Sequence, residues 1–482
     1  MNFRAIFHLI SYMLLVLGIG VGVCYAISLA YNDPASAQHG LLASSISIIL
    51  FALCLAFFTR GTVDLSRKDG FGIVTFGWIT AALAGALPFV LTGTIMSPVA
   101  AVFETMSGFT TTGASVLTGL EEMSRGIIFW RALTHWFGGM GVLILCVAVL
   151  PFLGVGGMQI FRAEMPGPSK DRLTPRIAST AKLLWGVYVL LCLVLALLLK
   201  VGGMPLFDAF CHSFSTMATG GFSTRTTSIA AYDSAYFDIV ITVFMLLAGT
   251  NFALHFRALQ GKPLNYFKDA EFRFYIFLWL GVCMFLTFNT WGSVYPSFTN
   301  SLRTAFFQGT SILTTTGFVT GDFDAWPNAS RLLLLLVMFV GGCAGSTGGG
   351  MKVARVFIVL KKIRREIRRF VKPQAIWAVK LGKRPVEQPT ISHITGFVMI
   401  FLLLFAVTSV LMTFFTPDIV TAFSSVVATM GNIGPGLGQV GATKTYADIP
   451  ALGKGILIFC MLLGRLELYT VLIVLVPATW KH

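Results

Sequence analysis

The chain has 482 residues, 56% of them hydrophobic and only 11% charged, where an ordinary soluble domain is about a quarter charged. So much apolar surface cannot be hidden inside one water-facing globule, which excludes a soluble enzyme, a disordered regulator and a secreted disulfide scaffold. The formal net charge of +15 does not form a nucleic-acid surface, because its cations fall in alternate loops between apolar runs.

A bilayer core of ~30 Å takes about 20 apolar residues per helix. Runs of that kind predict ten spans, at 5–30, 41–59, 71–92, 127–153, 183–201, 236–256, 274–289, 332–360, 394–415 and 456–477. The first lacks a small-residue cleavage site and is read as a span, not as a removable signal. Basic residues follow every second span. They are Arg60, Arg67 and Lys68, then Arg162, Lys170, Arg172, Arg176 and Lys182, then Arg257, Lys262, Lys268 and Arg273, then a dense run from Lys352 to Arg384. Such cations stay on the cytoplasmic side, so both termini are expected there. Acids including Asp33, Glu104, Glu121, Asp208, Asp238, Asp324 and Asp418 fall on the other side. They either bias the outer mouth toward cations or are ordinary loop charge.

After spans three, five, seven and nine, a short apolar stretch runs into a Thr/Gly-rich segment. The four copies are AVFETMSGFTTTGAS (Ala101–Ser115), PLFDAFCHSFSTMATGGFST (Pro205–Thr224), TAFFQGTSILTTTGFVT (Thr304–Thr320) and DIVTAFSSVVATMGNIGPGLG (Asp418–Gly438). The same interval separates Phe103 from Gly113, Phe210 from Gly220 and Phe307 from Gly317. In the fourth copy Gly431 or Gly434 takes that place, and Gly434 is favoured because Gly-Pro-Gly continues the loop. Stretches too short to span are re-entrant elements, and non-helical backbone at membrane depth survives only in a polar cavity or inside protein. The pattern predicts an all-α polytopic membrane protein of four pseudo-repeats, each span, half-helix, filter loop, span, around one pore. An N-terminal hairpin (1–68) precedes repeats at 69–170, 171–263, 264–385 and 386–482, the third with a broken second span and a basic segment.

The candidate filter residues are Thr111, Thr112 and Gly113; Ala218, Thr219 and Gly220; Thr315, Thr316 and Gly317; Asn432, Ile433 and Gly434. They offer backbone carbonyls and hydroxyls, with no carboxylate, imidazole or thiol. Rings of neutral oxygen replace the hydration shell of a monovalent cation, whereas divalent ions take carboxylates. Half-helix C-termini aimed at the cavity favour a cation too. A single Thr/Gly stretch would be read as a plain loop; four in register weaken that alternative.

Span eight contains GGCAGSTGGG (Gly341–Gly350). Each glycine costs ~1 kcal/mol against alanine in a helix, so the chain is expected to unwind there. The candidate gate is Gly345, Ser346, Thr347, Gly348, Gly349 and Gly350 with Lys352 and Arg465; the alternative is a helix-packing site. Arg465 lies within the apolar run Gly455–Val476 and either faces the pore or pairs with an acid on a neighbouring helix. Neither GSTGGGMK nor the glycines at 436, 438 and 441 fit a phosphate loop, for want of Gly-Lys-Ser/Thr or a preceding strand. The eight cysteines form no CxxC pair, and no catalytic constellation is present. No enzyme activity, bound cofactor or nucleic-acid partner is expected. The Lys361–Arg369 run touches anionic lipid or a protein partner.

With the four filter loops, the N-terminal hairpin and the endings NIGPGLG and GRLELYT, essentially the whole chain resembles the Trk/Ktr/HKT superfamily of potassium transporters. The resemblance implies K⁺ as the transported ion, bound at the filter residues, and an intramembrane gating loop in span eight. It also implies a homodimer in the bacterial cytoplasmic (inner) membrane, on a cytosolic nucleotide-binding regulatory ring of the TrkA type. In that superfamily, glycine in the first filter goes with K⁺ selectivity and serine with Na⁺ permeation. A Na⁺-permeable or Na⁺-coupled symporter of the same fold is the competing expectation, and a non-transporting membrane assembly subunit is a second.

Overall fold

The computed structural model describes residues 1–61, 67–141, 177–375, 377–382, 384–466, 468–477 and 480. The described residues are helical, with one two-stranded hairpin pairing Lys380–Leu381 with Arg384–Pro385. The helices α1 (Phe3–Ala30) and α2 (Ala35–Phe58) form the N-terminal hairpin. They approach closely because Gly18 leaves room against Ile48 and Ile49 and its carbonyl accepts from Ser45 Oγ at 2.8 Å. Next come α3 (Arg67–Leu91), α4 (Pro98–Phe109), α5 (Arg125–Gly139), α6 (Ile177–Val201) and α7 (Leu206–Met217). They are followed by α8 (Ala235–Ala248), α9 (Phe252–Leu259), α10 (Ala270–Thr290) and α11 (Phe298–Leu313). Then follow α12 (Asn328–Val337), α13 (Val353–Val371), α14 (Gln388–Met412), α15 (Ile419–Met430), α16 (Ala451–Leu466) and α17 (Leu468–Leu475).

Among the described residues, six helices are long and apolar enough to cross a bilayer alone: α1, α2, α3, α6, α10 and α14. The pairs α8/α9 and α16/α17, bent by 102° and 116°, bring the number to eight. Ten is not reached among the described residues. The fourth predicted span, 127–153, is described only through α5 and Gly141; its remainder and the basic residues Arg162, Lys170, Arg172 and Arg176 lie outside the described residues. The eighth is the ten-residue α12, an irregular segment and α13.

Only span eight was expected to break, yet spans six and ten are bent as well. The reason lies in packing. Gly249 follows α8 and sits against the Thr314 side chain at the end of α11, and Gly464 sits against Met430 O at the end of α15. At the end of α5, a Cβ on Gly138 would fall 1.9 Å from Phe109 O, and one on Gly139 would fall 2.7 Å from Ala218 Cα. Each of these glycines lets a crossing segment press on the C-terminus of a short helix, and the path changes direction there or ends as helix. After the break, Asn251 caps α9 by accepting from Ala253 N at 2.9 Å.

The short helices α4, α7 and α15 have 12 residues and α11 has 16. At 1.5 Å per residue, 12 residues cover about 18 Å, short of the ~30 Å core. Three of them start from defined caps: Ser97 before α4, with Pro98 as its first residue, Pro205 before α7 and the Asp418 carboxylate on Thr421 N at 2.8 Å before α15. Their buried faces carry Phe103, Phe109, Phe307 and Val426 into the interior. By contrast Leu50, Phe58, Leu197, Phe277 and Leu403 are exposed on the long helices, as suits a lipid-facing rim.

Candidate functional site

The four short helices end alike. After the caps Thr110, Ala218, Thr314 and Gly431, the next residue is left-handed: Thr111 (φ 52°), Thr219 (55°), Thr315 (61°) and Asn432 (54°). The residue after it returns its N–H to the helix, as Thr112 to Ser107 O, Gly220 to Ser215 O, Thr316 to Ser311 O and Ile433 to Ala428 O, each at 2.8 Å. A second left-handed residue follows, always glycine: Gly113 (79°), Gly221 (82°), Gly317 (82°) and Gly434 (96°).

This register differs from the sequence spacing in the second copy. Counting from Phe210 aligns Gly220 with Gly113, whereas the backbone aligns Gly221. α4 and α7 have the same length and the same distance to these glycines, so Cys211, not Phe210, holds the place in α7 that Phe103 holds in α4. Gly221 was missed for that reason; the double glycine Gly220–Gly221 was the available signal. In the fourth copy the backbone places Gly434, not Gly431, opposite Gly113.

The four loops close on each other. A Cβ on Gly113 would fall 2.1 Å from Gly220 O, on Gly221 2.2 Å from Thr316 O, on Gly317 2.0 Å from Ile433 O, and on Gly434 2.5 Å from Thr112 O. Each glycine thus packs on the middle carbonyl of the next copy, and the fourth returns to the first. Only residues without a Cβ fit both the approach and the positive φ. The four loops thus form a closed circuit of glycine–carbonyl approaches. Asn432 Nδ2 ties copy four to copy one by donating to Thr112 Oγ1 at 3.0 Å. Thr111 Oγ1 and Asn432 Oδ1, both buried, have no hydrogen-bond partner among the described residues. Both are neutral oxygens with unused lone pairs.

Buried side chains on the short helices grip the strands leaving the ring. Glu104 accepts from Ser115 Oγ and Val116 N, both at 2.9 Å. His212 Nε2 lies 2.9 Å from Ser223 Oγ, Gln308 Nε2 donates to Gly321 O at 2.8 Å, and Ser424 Oγ accepts from Leu437 N at 2.9 Å. Arg131 bridges copies one and two: it pairs with Glu104 at 2.9 Å, donates to Ser223 O at 3.1 Å and covers the Phe222 ring. Tyr446 bridges copies four and one, its hydroxyl donating to Gly434 O at 2.7 Å and its N–H to Ser115 O at 2.9 Å. The sequence reading singled out none of these residues as holding the loops.

The mouth beside the ring, about 150 Å³, is lined by no Asp or Glu among the described residues and carries Arg131, Arg225 and Lys444. The acids that could have biased it are engaged elsewhere. Asp208 pairs with Arg225, Asp238 with Arg303 and Asp324 with Arg331, at 3.1, 2.6 and 2.8 Å; Asp33 accepts from Arg125 N and Gly126 N. Glu121 accepts from Thr226 N and Oγ1. Burial pushes its pKa up, but the Thr226 bonds outweigh this and hold it below the ordinary glutamate value. Ordinary loop charge is the reading that fits.

On the opposite side of the ring lies the glycine-rich segment. Thr347 Oγ1 lies 3.0 Å from Met217 O and 3.1 Å from Ala248 O. Gly349 N donates to Thr315 Oγ1 at 2.6 Å, Gly348 lies against Thr314 O, and Gly349 lies against Gly431 O. Three of the four short-helix ends are therefore touched by one loop. Arg465 completes the closure: Nη1 donates to Thr347 O at 2.7 Å and Nη2 to Gly138 O and Gly139 O, the glycines packed on the ends of α4 and α7. Lys352 Nζ donates back to Gly348 O. Ala344 N reaches the Glu271 carboxylate on α10 at 2.6 Å, a partner that nothing in the sequence marked. A cavity of about 80 Å³ beside the loop is lined by Gly345, Ser346, Gly348–Gly350, Lys352 and Arg465. The structure thus brings every sequence-identified gate residue to one place.

Comparison with known proteins follows the same lines. Residues 37–481 match the family model TrkH, "Cation transport protein". The chain is 42% identical to the Trk system potassium uptake proteins TrkH of Salmonella typhimurium and of Halomonas elongata, with both chains covered completely in each case. It is 32% identical to the Trk system potassium uptake protein TrkG of Escherichia coli over 99% of both. Its fold overlays the crystal structure of the potassium transporter TrkH from Vibrio parahaemolyticus with a TM-score of 0.89, at 37% identity and complete coverage of both chains. The chain belongs to the TrkH family of cation transport proteins.

Proposed function

We propose that this protein takes up K⁺ through the ring formed by Thr111–Gly113, Thr219–Gly221, Thr315–Gly317 and Asn432–Gly434. The closed circuit of glycine–carbonyl approaches supports the reading, because it leaves backbone oxygen and no carboxylate to strip a cation's water. The names of the relatives support K⁺ as the ion. In this reading the chain makes ten spans. The hairpin 1–68 precedes repeats with approximate bounds 69–170, 171–263, 264–385 and 386–482, and the basic loops and both termini face the cytoplasm. The membrane is the bacterial inner membrane, whose potential supplies about 2.3 kcal/mol per elementary charge per 100 mV. A homodimer on a cytosolic nucleotide-binding ring is the assembly implied by resemblance. Labelled K⁺ uptake by proteoliposomes of the purified chain tests the proposal: potential-driven accumulation is expected, and none in the presence of the regulatory ring contradicts it.

The loop Gly345–Gly350 and Arg465 act as the gate in this reading, the guanidinium repelling cations below the ring. Arg465→Ala removes the charge and the bond to Thr347 O, so flux is expected to rise several-fold; shortening Gly345–Gly350 acts in the same direction. Unchanged or lower flux from folded protein at equal surface density counts against the gate.

Tyr446 is proposed to set the fourth copy's oxygen. Tyr446→Phe keeps the ring packing against Phe103 (centroids 5.4 Å) and loses only the bond to Gly434 O. A net hydrogen bond is worth about 1 kcal/mol, roughly a fivefold change in the K⁺/Na⁺ flux ratio. An unaltered ratio would show that this carbonyl does not discriminate.

A further inference from the structure

Where α10 begins, an open groove of about 910 Å³ runs between α10 and α13. Three cations line it, Lys268, Arg273 and Lys361, with Phe274, Phe277 and Phe357, and no carboxylate does among the described residues. The nearby acids are occupied elsewhere: Asp269 accepts from Phe272 N at 2.8 Å, and Glu271 faces the glycine-rich loop. Phe274 stacks on Phe357 at 4.6 Å, and Lys361 Nζ lies 4.2 Å from the Phe357 centroid. Partial burial, with Arg273 beside it, pulls the Lys361 pKa below the ordinary lysine value. The groove is thus a like-charge cluster on an aromatic floor.

Its apolar wall does not end in water. Phe277 is 74% exposed and opens a stripe with Leu280, Met284 and Phe288, spaced three to four residues apart along a helix long enough to cross the membrane. A ligand matching this surface carries a negative headgroup at the membrane boundary and a hydrocarbon body along the stripe. Free phosphate would use the cations and leave the phenylalanines unexplained. A soluble protein would reach Phe277 only through lipid.

We propose that the groove binds an anionic phospholipid, its phosphate among Lys268, Arg273 and Lys361 and an acyl chain along Phe277. The leaflet, though not the site, rests on the side assignment made above. The position carries a consequence for transport. Helix α13 continues directly from the glycine-rich loop, and α10 holds Ala344 of that loop through Glu271. A lipid bridging α10 and α13 therefore braces both ends of the gate.

The test uses the full purified chain, delipidated in detergent and titrated with phosphatidylglycerol or phosphatidylcholine, with bound lipid counted by native mass spectrometry. Phosphatidylglycerol is expected to be retained in preference. Lys268→Gln, Arg273→Gln and Lys361→Gln are each expected to weaken it about fivefold, the factor for one basic residue at an anionic surface. Lys262→Gln, an exposed cation outside the groove, is expected to leave it unchanged, and Arg273→Lys to restore most of the retention should the glutamine variant fold poorly. Equal retention of the two lipids, or displacement of lipid by inorganic phosphate, overturns the proposal. So does undiminished lipid retention in Lys268→Gln with loss of regulatory-ring binding, which would assign the groove to a protein. None of these outcomes depends on whether the ring conducts K⁺.

Discussion

Gly317→Ala is expected to cut K⁺ uptake to about a tenth of wild type or less while the protein still inserts and folds. The alanine Cβ would fall 2.0 Å from Ile433 O and 2.9 Å from Pro435 Cδ, at a φ of 82°. A left-handed non-glycine costs about 1–2 kcal/mol and overpacking typically another 1–3 kcal/mol. Proline limits how far the neighbouring loop can retreat, so the strain opens the ring. Gly93→Ala separates the two terms. Gly93 has nearly the same φ, 76°, but nothing within 4 Å of an added Cβ. Uptake by Gly93→Ala should therefore stay near wild type. Equal loss in both variants, measured as labelled K⁺ uptake at matched protein density, would place the effect in backbone strain and not in the ring.

Arg131→Met is expected to have the largest effect on stability. Glu104 and Arg131 are both almost wholly buried and 2.9 Å apart. Removing one member of such a pair strands the other charge, at roughly 3–5 kcal/mol. A sharp fall in the thermal unfolding temperature in detergent should follow, with K⁺ flux lost early because Ser115 and Ser223 lose the Arg131 donors. Glu104→Gln/Arg131→Met leaves no buried charge and should recover part of the loss, since contacting residues are non-additive by about 0.5–3 kcal/mol. A double variant no better than the additive sum would mean that the pair is not the unit holding the strands.

Six long spans, the four short helices and the glycine-rich break were legible in the sequence because each depends on local composition: apolar run length, Thr/Gly recurrence and glycine's poor helix propensity. The ring register was legible in three copies of four. It failed at Gly221 because the phenylalanine that served as marker sits one residue early in α7, where Cys211 takes the place of Phe103. The bends after Ala248 and near Leu466 were not legible. Gly249 and Gly464 look like ordinary glycines in apolar helices, and their role comes from contact with Thr314 and Met430, distant in sequence. The same holds for Arg131, Tyr446 and Glu271. Their partners are carbonyls, amides and a carboxylate on other segments of the chain, which no residue spacing encodes.

Four backbone loops selecting one alkali cation is the proposition on which the account stands, and a bi-ionic K⁺/Na⁺ reversal potential addresses it most directly. The wild-type chain in a planar bilayer is expected to reverse near the K⁺ equilibrium potential. Gly113→Ser should move that potential toward Na⁺ without abolishing current. Its Cβ would fall 2.1 Å from Gly220 O, which must move; the next atoms, Gly220 C and Gly221 Cα, stand at 3.2 and 3.6 Å, where Gly317 has Pro435 Cδ at 2.9 Å, so the change shifts one oxygen of the ring. A wild-type reversal potential midway between the two ions, unmoved by Gly113→Ser, would contradict selection by this ring.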